Sequence, residues 1–331
     1  MIDIRSQIIK PALNLEDLRV VASAEGWKLT DLHSLHFFLR RNFKYRRAIK
    51  ITEQSGSDLT DYQVLIELNS TNFDFSHAQT NGEDIRFTDA NGNLLDYWIE
   101  EWDSVNEKAK VWVKVPSIPA NGSTEIWMYY GNSEIEDASD GDAVFEFFDD
   151  FNRPDNTIIG KDWEEIGDFA EIKNKEVVFT ADGSYHYDDL RHNFTTSGDI
   201  IIELKMQNYA TGTNRHVSFM HHTNEKGLRI WLWGDDATVR YYYSERIKIG
   251  SWTPGVYVSI KLIYHYSSDT YDIWVDGEEK ATNVPPESSS FSNKITCGIS
   301  SQTSGGKIDD IRIRKYASPE PSVSLGAEET A

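Results

Sequence analysis

Phe145-Glu146-Phe147-Phe148-Asp149-Asp150-Phe151-Asn152 is the stretch on which the fold turns. Its four phenylalanines mark a pleated surface that favours burial. Neighbours on a strand point to opposite faces, so at most one of Asp149 and Asp150 faces solvent comfortably. The other needs a partner, because a buried and unpaired carboxylate is costly. A second aspartate pair stands near the far end, in Lys307-Ile308-Asp309-Asp310-Ile311-Arg312-Ile313-Arg314. The two segments are expected to be the first and last strands of one β-sandwich, side by side in one sheet. The sequence before Phe145 then forms a separate module.

The bulk composition agrees with such a layout. A chain of 331 residues has room for two or three domains. Its 10 tryptophans, 16 tyrosines and 15 phenylalanines give it the flavour of an all-β protein. The formal net charge of −21 sets it against phosphate backbones and anionic lipid, which excludes nucleic acid and membrane surfaces as expected partners. A divalent cation fits that charge better, although acidity also serves solubility alone. The lone Cys297 cannot form a disulfide within the chain and reads as a small buried hydrophobe. No run approaches the ~18 apolar residues of a membrane span. The start, Met1-Ile2-Asp3-Ile4-Arg5, lacks the basic-then-apolar order of a signal peptide. If it is the natural start, the protein is made in the cytoplasm and reaches the outside by another route.

Residues 1–44 carry the helical signals and are read as an attachment segment. Asn14 can cap a helix beginning at Leu15, with Gly26 ending it. Thr30 or Asp31 can cap a second, with Leu32, Leu35, Phe38 and Leu39 on one face. His33 and His36 have a metal-compatible spacing, but no further ligand lies nearby and a solvated or core role is the better reading. From Tyr45 the period changes to two. Strands are expected at 45–52, 62–68, 85–89, 95–102, 108–115 and 124–130. The pairs Asn81-Gly82, Asn91-Gly92 and Asn121-Gly122 supply hairpin turns between them. Residues 133–143 read as a polar, acidic, solvated connector rather than a metal loop. Beyond Phe151, short strands are expected at 170–172, 177–180, 200–207, 216–221, 227–233, 238–243, 257–264, 270–275, 295–300 and 307–314. About ten strands at that spacing suit a jelly-roll sandwich.

Two resemblances follow from particular residues. Tyr45-Arg46-Arg47, Asp61-Tyr62-Gln63-Val64, Gly82-Glu83-Asp84-Ile85-Arg86-Phe87, Asp96-Tyr97-Trp98-Ile99-Glu100, Val111 to Pro119 and Tyr129-Tyr130-Gly131-Asn132 stand in order. Over residues 45–148 the chain resembles a β-sandwich family of uncharacterised function, common in prokaryotic surface proteins. That resemblance implies an extracellular or envelope setting and no known reaction. Phe147 to Asn152, Tyr271-Asp272-Ile273-Trp274-Val275-Asp276-Gly277 and Ile308 to Ile313 resemble strands of the concanavalin A-like, laminin-G-like superfamily over residues 145–326. The domains are thus expected at 1–44, 45–144 and 145–326, with 327–331 as a tail.

Candidate chemistry is sparse. Concanavalin-like glycosidases carry an alternating Glu-x-Asp-x-x-Glu on one strand. Asp199-Ile200-Ile201-Ile202-Glu203 lacks that pattern, and no nucleophile elbow, phosphate loop or zinc-protease motif occurs. A non-enzymatic protein is expected. Asp149, Asp150, Asp309 and Asp310 are the candidate metal ligands, with structural Ca²⁺ as the ion that the concanavalin resemblance implies. The competing reading pairs each aspartate with Arg312, Arg314 or a backbone amide. The candidate ligand site is aromatic. Arg229, Trp231 and Trp233 share one face of their strand while Ile230 and Leu232 share the other. Tyr241 and Tyr243 follow on the next strand, and His222 and Asp235 lie in adjoining loops. Flat rings stack on sugar faces, and such polar groups direct hydrogen bonds; the competing reading is that these rings fill the core. The expected function is surface recognition of a glycan or cell-envelope component, as in a virion tail fibre or receptor-binding protein. Residues 1–44 would mediate homo-oligomer or larger assembly. A structural assembly protein and a glycoside hydrolase are the alternatives.

Overall fold

The structure is a computed structural model. It describes residues 43–167, 170–180, 186–212, 215–223, 226–243, 245–288, 293–301 and 305–331. The expected helices, their assembly role, and His33 and His36 lie outside the described residues. The chain divides into two compact units. One runs to Phe145 and takes up Ala317–Ala331; the other is Glu146–Tyr316.

The first unit holds β1 (Tyr45–Thr52), β2 (Leu59–Asn69), β3 (Arg86–Asp89), β4 (Leu94–Leu95), β5 (Tyr97–Asp103), β6 (Lys108–Ile118) and β7 (Ser123–Tyr130). The second holds β8 (Phe147–Asp149), β9 (Glu164–Ile166), β10 (Ala170–Lys173), β11 (Glu176–Phe179), β12 (His186–Asn193), β13 (Ile200–Asn208), β14 (Arg215–Thr223) and β15 (Lys226–Trp233). It continues with β16 (Thr238–Tyr243), β17 (Glu245–Ser251), β18 (Val258–His265), β19 (Thr270–Val275), β20 (Glu278–Val284), β21 (Glu287–Ser288), β22 (Lys294–Ser301) and β23 (Gly306–Lys315). The last strand, β24 (Ser322–Thr330), returns to the first unit.

The first unit is a sandwich of a five-stranded sheet, β24-β1-β7-β3-β4, and a three-stranded sheet, β2-β6-β5. Alternation puts Ile49, Ile51, Val64, Ile66, Val111, Val113 and Met128 into the space between them. The quoted motifs prove to be the fastenings of this sandwich. The fully buried Asp84 carboxylate accepts hydrogen bonds from the amides of Gln79 (2.8 Å), Gly131 (2.7 Å) and Asn132 (2.9 Å). Arg86 Nη1 donates to Tyr97 Oη at 2.8 Å. Gly82 has φ +74°, and a Cβ there would sit 2.6 Å from the Trp102 ring. Only glycine fits that turn against that indole.

Three expectations change. First, residues 133–143 are no solvated connector but are strapped to the first unit. Asp140 donates its amide to the Tyr97 carbonyl (2.9 Å) and Ile99 donates to Ser139 Oγ (2.8 Å). A helical turn, α1 (Gly141–Val144), follows, capped by Asp140. Val144 is fully buried, and its carbonyl accepts from Gln63 Nε2 at 3.0 Å. The acidic side chains face water while the backbone supplies the bonds, which composition cannot reveal. Second, Phe145 closes the first unit rather than opening the second. Its ring packs edge-on against Trp98 and Trp112, covering the face that Trp112 shares with Lys110 and Lys114. Third, residues 317–331 are not the end of the second sandwich plus a tail. β24 pairs antiparallel with β1, from Thr330 opposite Tyr45 to Ser322 opposite Thr52.

The second unit is an all-β jelly-roll sandwich of two eight-stranded sheets. One is β10-β11-β23-β13-β18-β19-β20, with β8 also on β23; the other is β17-β16-β15-β14-β22-β12-β9, with β21 on β15. The opening and closing strands lie side by side as expected: β8 pairs antiparallel with β23, Asp149 opposite Ile311 and Phe147 opposite Ile313. Ile200, Ile202, Leu204, Phe219, Leu228, Ile230, Leu232, Ile273, Cys297 and Ile311 fill the core between the sheets. Burying each large aliphatic side chain stabilises by about 1.5–3 kcal/mol relative to exposure.

Candidate functional site

The second unit's β17-to-β9 sheet turns one face to the core and one away from it. Cross-strand register fixes what lies on the outward face, because directly paired residues share a side. One row runs Asp189, Gly298, Ser218, Trp231, Arg240, Lys248 across β12, β22, β14, β15, β16 and β17. The next row runs Arg191, Thr296, Met220, Arg229. Gly298 and Ser218 offer almost no side chain, so the first row has a low floor. That floor separates Asp189 from Trp231 by three strand spacings, about 14 Å. By register this low strip, the trough, lies between the Asp189–Arg191 ion pair on one side and the Trp231 indole on the other.

The expected aromatic site divides under this geometry. Ile230 and Leu232 are fully buried in the core, and Arg229 and Trp231 are half-buried on the outward face, as their alternation requires. Trp233 shares that face but is only 8% exposed. Its ring stacks on His216 from β14, with centroids 3.7 Å apart and planes at 14°. From the β17 side, the Arg246 guanidinium lies 4.1 Å from the same ring, with Arg240 at 5.2 Å. Trp233 is therefore a clamped structural ring. Trp231 stands edge-on to it at 6.1 Å and carries Arg229 at 5.4 Å.

Tyr241 does not join the tryptophans. It pairs with Ile230, so it shares the inward side and packs against the core. The face-mate of Trp231 on β16 is Arg240. Of Tyr243 only the backbone is described, pairing with Glu245. His222 lies within β14 rather than in a loop, fully buried, with Nε2 3.3 Å from Thr296 Oγ1. Burial first, then the nearby cations Arg229, Arg191 and Lys294, pushes its pKa down to about 4. Asp235 is exposed in the β15–β16 turn. Sequence reasoning did not single out Arg191, Asp189, Ser218, Gly298 or Arg246. Strand parity from Trp231 would have found Ser218 and Gly298 only with the register in hand.

The four aspartates serve different ends. Asp149 is fully buried, and its carboxylate accepts from Arg153 Nη1 (2.6 Å) and Nη2 (3.0 Å), Trp163 Nε1 (2.9 Å) and the Phe151 amide (2.9 Å). Asp150 accepts from the Asn152 amide at 3.0 Å. Asp310 pairs with Lys205. Asp309 Oδ1 is buried with no hydrogen-bond partner, and burial, then Asp310, raises this carboxyl to about 7. Arg312 and Arg314 turn instead to Glu203, at 2.7 and 3.8 Å. Burial opposes ionisation of Glu203, yet these two guanidinium groups hold its pKa below the ordinary range. No group of three or more metal-binding side chains occurs among the described residues.

In the first unit a separate cavity of about 690 Å³ is lined by Arg47, Ser70, Phe73, Asp74, Glu107 and Leu325, among others. Of its loop residues, Thr71 donates its amide to the adjoining Asn69 Oδ1 at 2.9 Å.

A family model described as a domain of unknown function, DUF2341, matches residues 81–166. The match begins inside the stretch expected to resemble an uncharacterised family and runs past its end. No curated protein matches the chain. Among solved structures it is similar to a sialidase, at 7% identity over 63% of this chain and 20% of that one, with a TM-score of 0.39. The chain thus spans about a fifth of the sialidase's length. It is also similar to the metal-free Emp46p carbohydrate recognition domain, at 13% identity over 51% of this chain and 96% of that domain, TM-score 0.39. A third is the β-glucanase of Bacillus licheniformis, at 15% identity over 51% of this chain and 98% of the enzyme, TM-score 0.39. No helix among the described residues is long and apolar enough to cross a membrane.

Proposed function

We propose that the second unit is a glycan-recognition module and that its ligand lies in the trough beside Trp231. The observation that carries this reading is the half-buried Trp231 indole standing over a floor of Gly298 and Ser218. A flat ring beside a shallow slot suits the apolar face of a sugar, and the surrounding Arg229, Arg240 and Asp189 supply directed polar contacts. The protein is read as a surface-recognition protein that acts outside the cell, of the adhesion or virion receptor-binding kind. Residues 1–44 would be its point of attachment.

A glycan array followed by titration calorimetry tests the reading. Trp231→Ala is expected to weaken the best ligand at least about tenfold, the loss of a central aromatic anchor. Trp233→Ala is expected to lower thermal stability, because that ring holds His216 and Arg246. Unchanged binding by Trp231→Ala, or no glycan bound by the intact protein, sinks the proposal.

A second reading has one observation in its favour. Glu287 lies on β21 opposite Gly227, and burial raises its carboxyl while Arg229 acts against that rise. A raised carboxyl near the trough is the character of a general acid. Release of reducing sugar from a polysaccharide, lost in Glu287→Gln, would favour hydrolysis over binding.

A further inference from the structure

The trough's charges do not balance, and the imbalance names a ligand class. Resting on the glycan reading, we infer that the site takes an anionic sugar, with its carboxylate or sulfate on Arg229 and its ring on Trp231. Three of the carboxylates around this face are already engaged, while burial raises the carboxyl of a fourth, Glu287, against the pull of Arg229. Asp189 holds Arg191 at 2.8 Å, Asp236 holds Arg240 at 2.6 Å, and Glu164 holds Lys294 at 2.9 Å. Arg229 is different. Among the described residues no carboxylate lies within ion-pair distance of it. Its Nε donates to Met220 Sδ at 3.2 Å, a weak acceptor, and the guanidinium carbon lies 5.4 Å from the Trp231 ring. A half-buried guanidinium has lost part of its hydration and regains most from a charged acceptor placed on its fork. Arg191 and Lys294 act on the buried His222 together with Arg229, so Arg229 stands in a locally cationic stretch of the sheet. Arg229 and Trp231 are two residues apart on one strand and on one face, so a single sugar unit can meet both.

The surrounding protein makes the inference discriminating. A chain of net charge −21 repels polyanions in general, so a polyanion that binds must find a local cationic site.

The experiment is calorimetric titration of the full chain with four probes at 50 mM and 300 mM NaCl. They are polygalacturonate, the same polymer with its carboxyls reduced to alcohols, dextran sulfate and dextran. The expected result is binding of polygalacturonate or dextran sulfate at least about tenfold tighter than its neutral counterpart, weakening with salt. Whichever of the two binds identifies carboxylate or sulfate as the group read. Arg229→Gln is expected to remove the anionic preference while retaining weak binding of the neutral polymer. Trp231→Ala is expected to weaken charged and neutral polymers alike, and Lys280→Gln, an exposed pair with Glu278, to change neither. Equal binding of charged and neutral polymers overturns the anionic inference and leaves the glycan reading standing. Anion binding that survives Arg229→Gln also overturns it. Binding of none of the four overturns the inference.

Discussion

Replacing Asp149 by asparagine tests the joint between the opening strand and the loop that follows it. The carboxylate is fully buried and receives four donors: both Arg153 Nη atoms, Trp163 Nε1 and the Phe151 amide. An asparagine keeps the shape but offers one acceptor oxygen and one NH₂ group. That NH₂ must face a donor, either the guanidinium or the indole, and the guanidinium loses its counter-charge. Breaking a fully buried pair costs about 3–5 kcal/mol. Arg153 is 24% exposed through its side chain and can recover some hydration, which brings the expected cost to about 2–4 kcal/mol. For a unit of this length that is a fall of about 4–16 °C in the melting temperature of Glu146–Tyr316. Differential scanning calorimetry and urea titration read the change directly. Asp150→Asn is the control, since it loses only a half-exposed contact with the Asn152 amide. A double-mutant cycle with Arg153→Gln should give a coupling above about 1 kcal/mol. A fall below about 2 °C, or a coupling near zero, refutes the buried ion pair as the fastening of β8.

Gly82→Ala should destabilise the first unit by about 2–4 kcal/mol, because it forces positive φ on a Cβ and drives that atom into the Trp102 ring; an unchanged melting profile would contradict the close approach. Asp309 titrates near 7 in the folded unit and near 3.8 unfolded, so the unfolded chain releases this proton first as pH rises. Its contribution is therefore greatest at low pH and drains away between about 4 and 7. Asp309→Asn should then gain stability over the parent at pH 8 relative to pH 5, and an equal difference at both pH values would refute it. His221 and His222 act in the opposite sense. Burial, as the main cause, depresses them to about 3 and about 4, so their share of stability is full above 6.5 and lost as pH falls below it. Their ring resonances should hold still between pH 8 and pH 5, and a midpoint near 6.5 for either would show an imidazole open to water.

The sequence made the sandwiches legible where alternation was strong. β13, β15, β18, β19 and β23 are interior strands whose inward residues are mostly Ile, Leu or Val, and they fall close to their expected bounds. β9, β17, β20 and β24 were missed, and each lies at the edge of its sheet. An edge strand pairs on one side only and tolerates charge, so Glu278-Glu279-Lys280-Ala281-Thr282-Asn283-Val284 shows little apolar period. β12 was missed because its described side chains, Asp189-Leu190-Arg191-His192-Asn193, include one aliphatic residue, Leu190, which lies in the core. The same blindness hid half of the trough, since Asp189 and Arg191 sit on that strand. The tryptophans were visible by type. Which of them is clamped and which lines a slot depended on cross-strand register, which no single strand records.

The first unit carries a different lesson about motifs. Gly82, Asp84, Arg86, Tyr97 and Gly131 belong to the quoted signature, and each is accounted for by a turn, a buried carboxylate or a bond that closes the sandwich. Asp84 alone satisfies three amides from two loops, and leaving even one buried donor unmet costs about 1–3 kcal/mol. A signature built of such residues reports that a sandwich of this form has folded. It says nothing of what the protein recognises, because those groups are engaged in closing the fold. Recognition must then be sought where polar capacity is unspent. In the second unit that condition points to Arg229, a half-buried guanidinium whose described partners are a thioether and an indole.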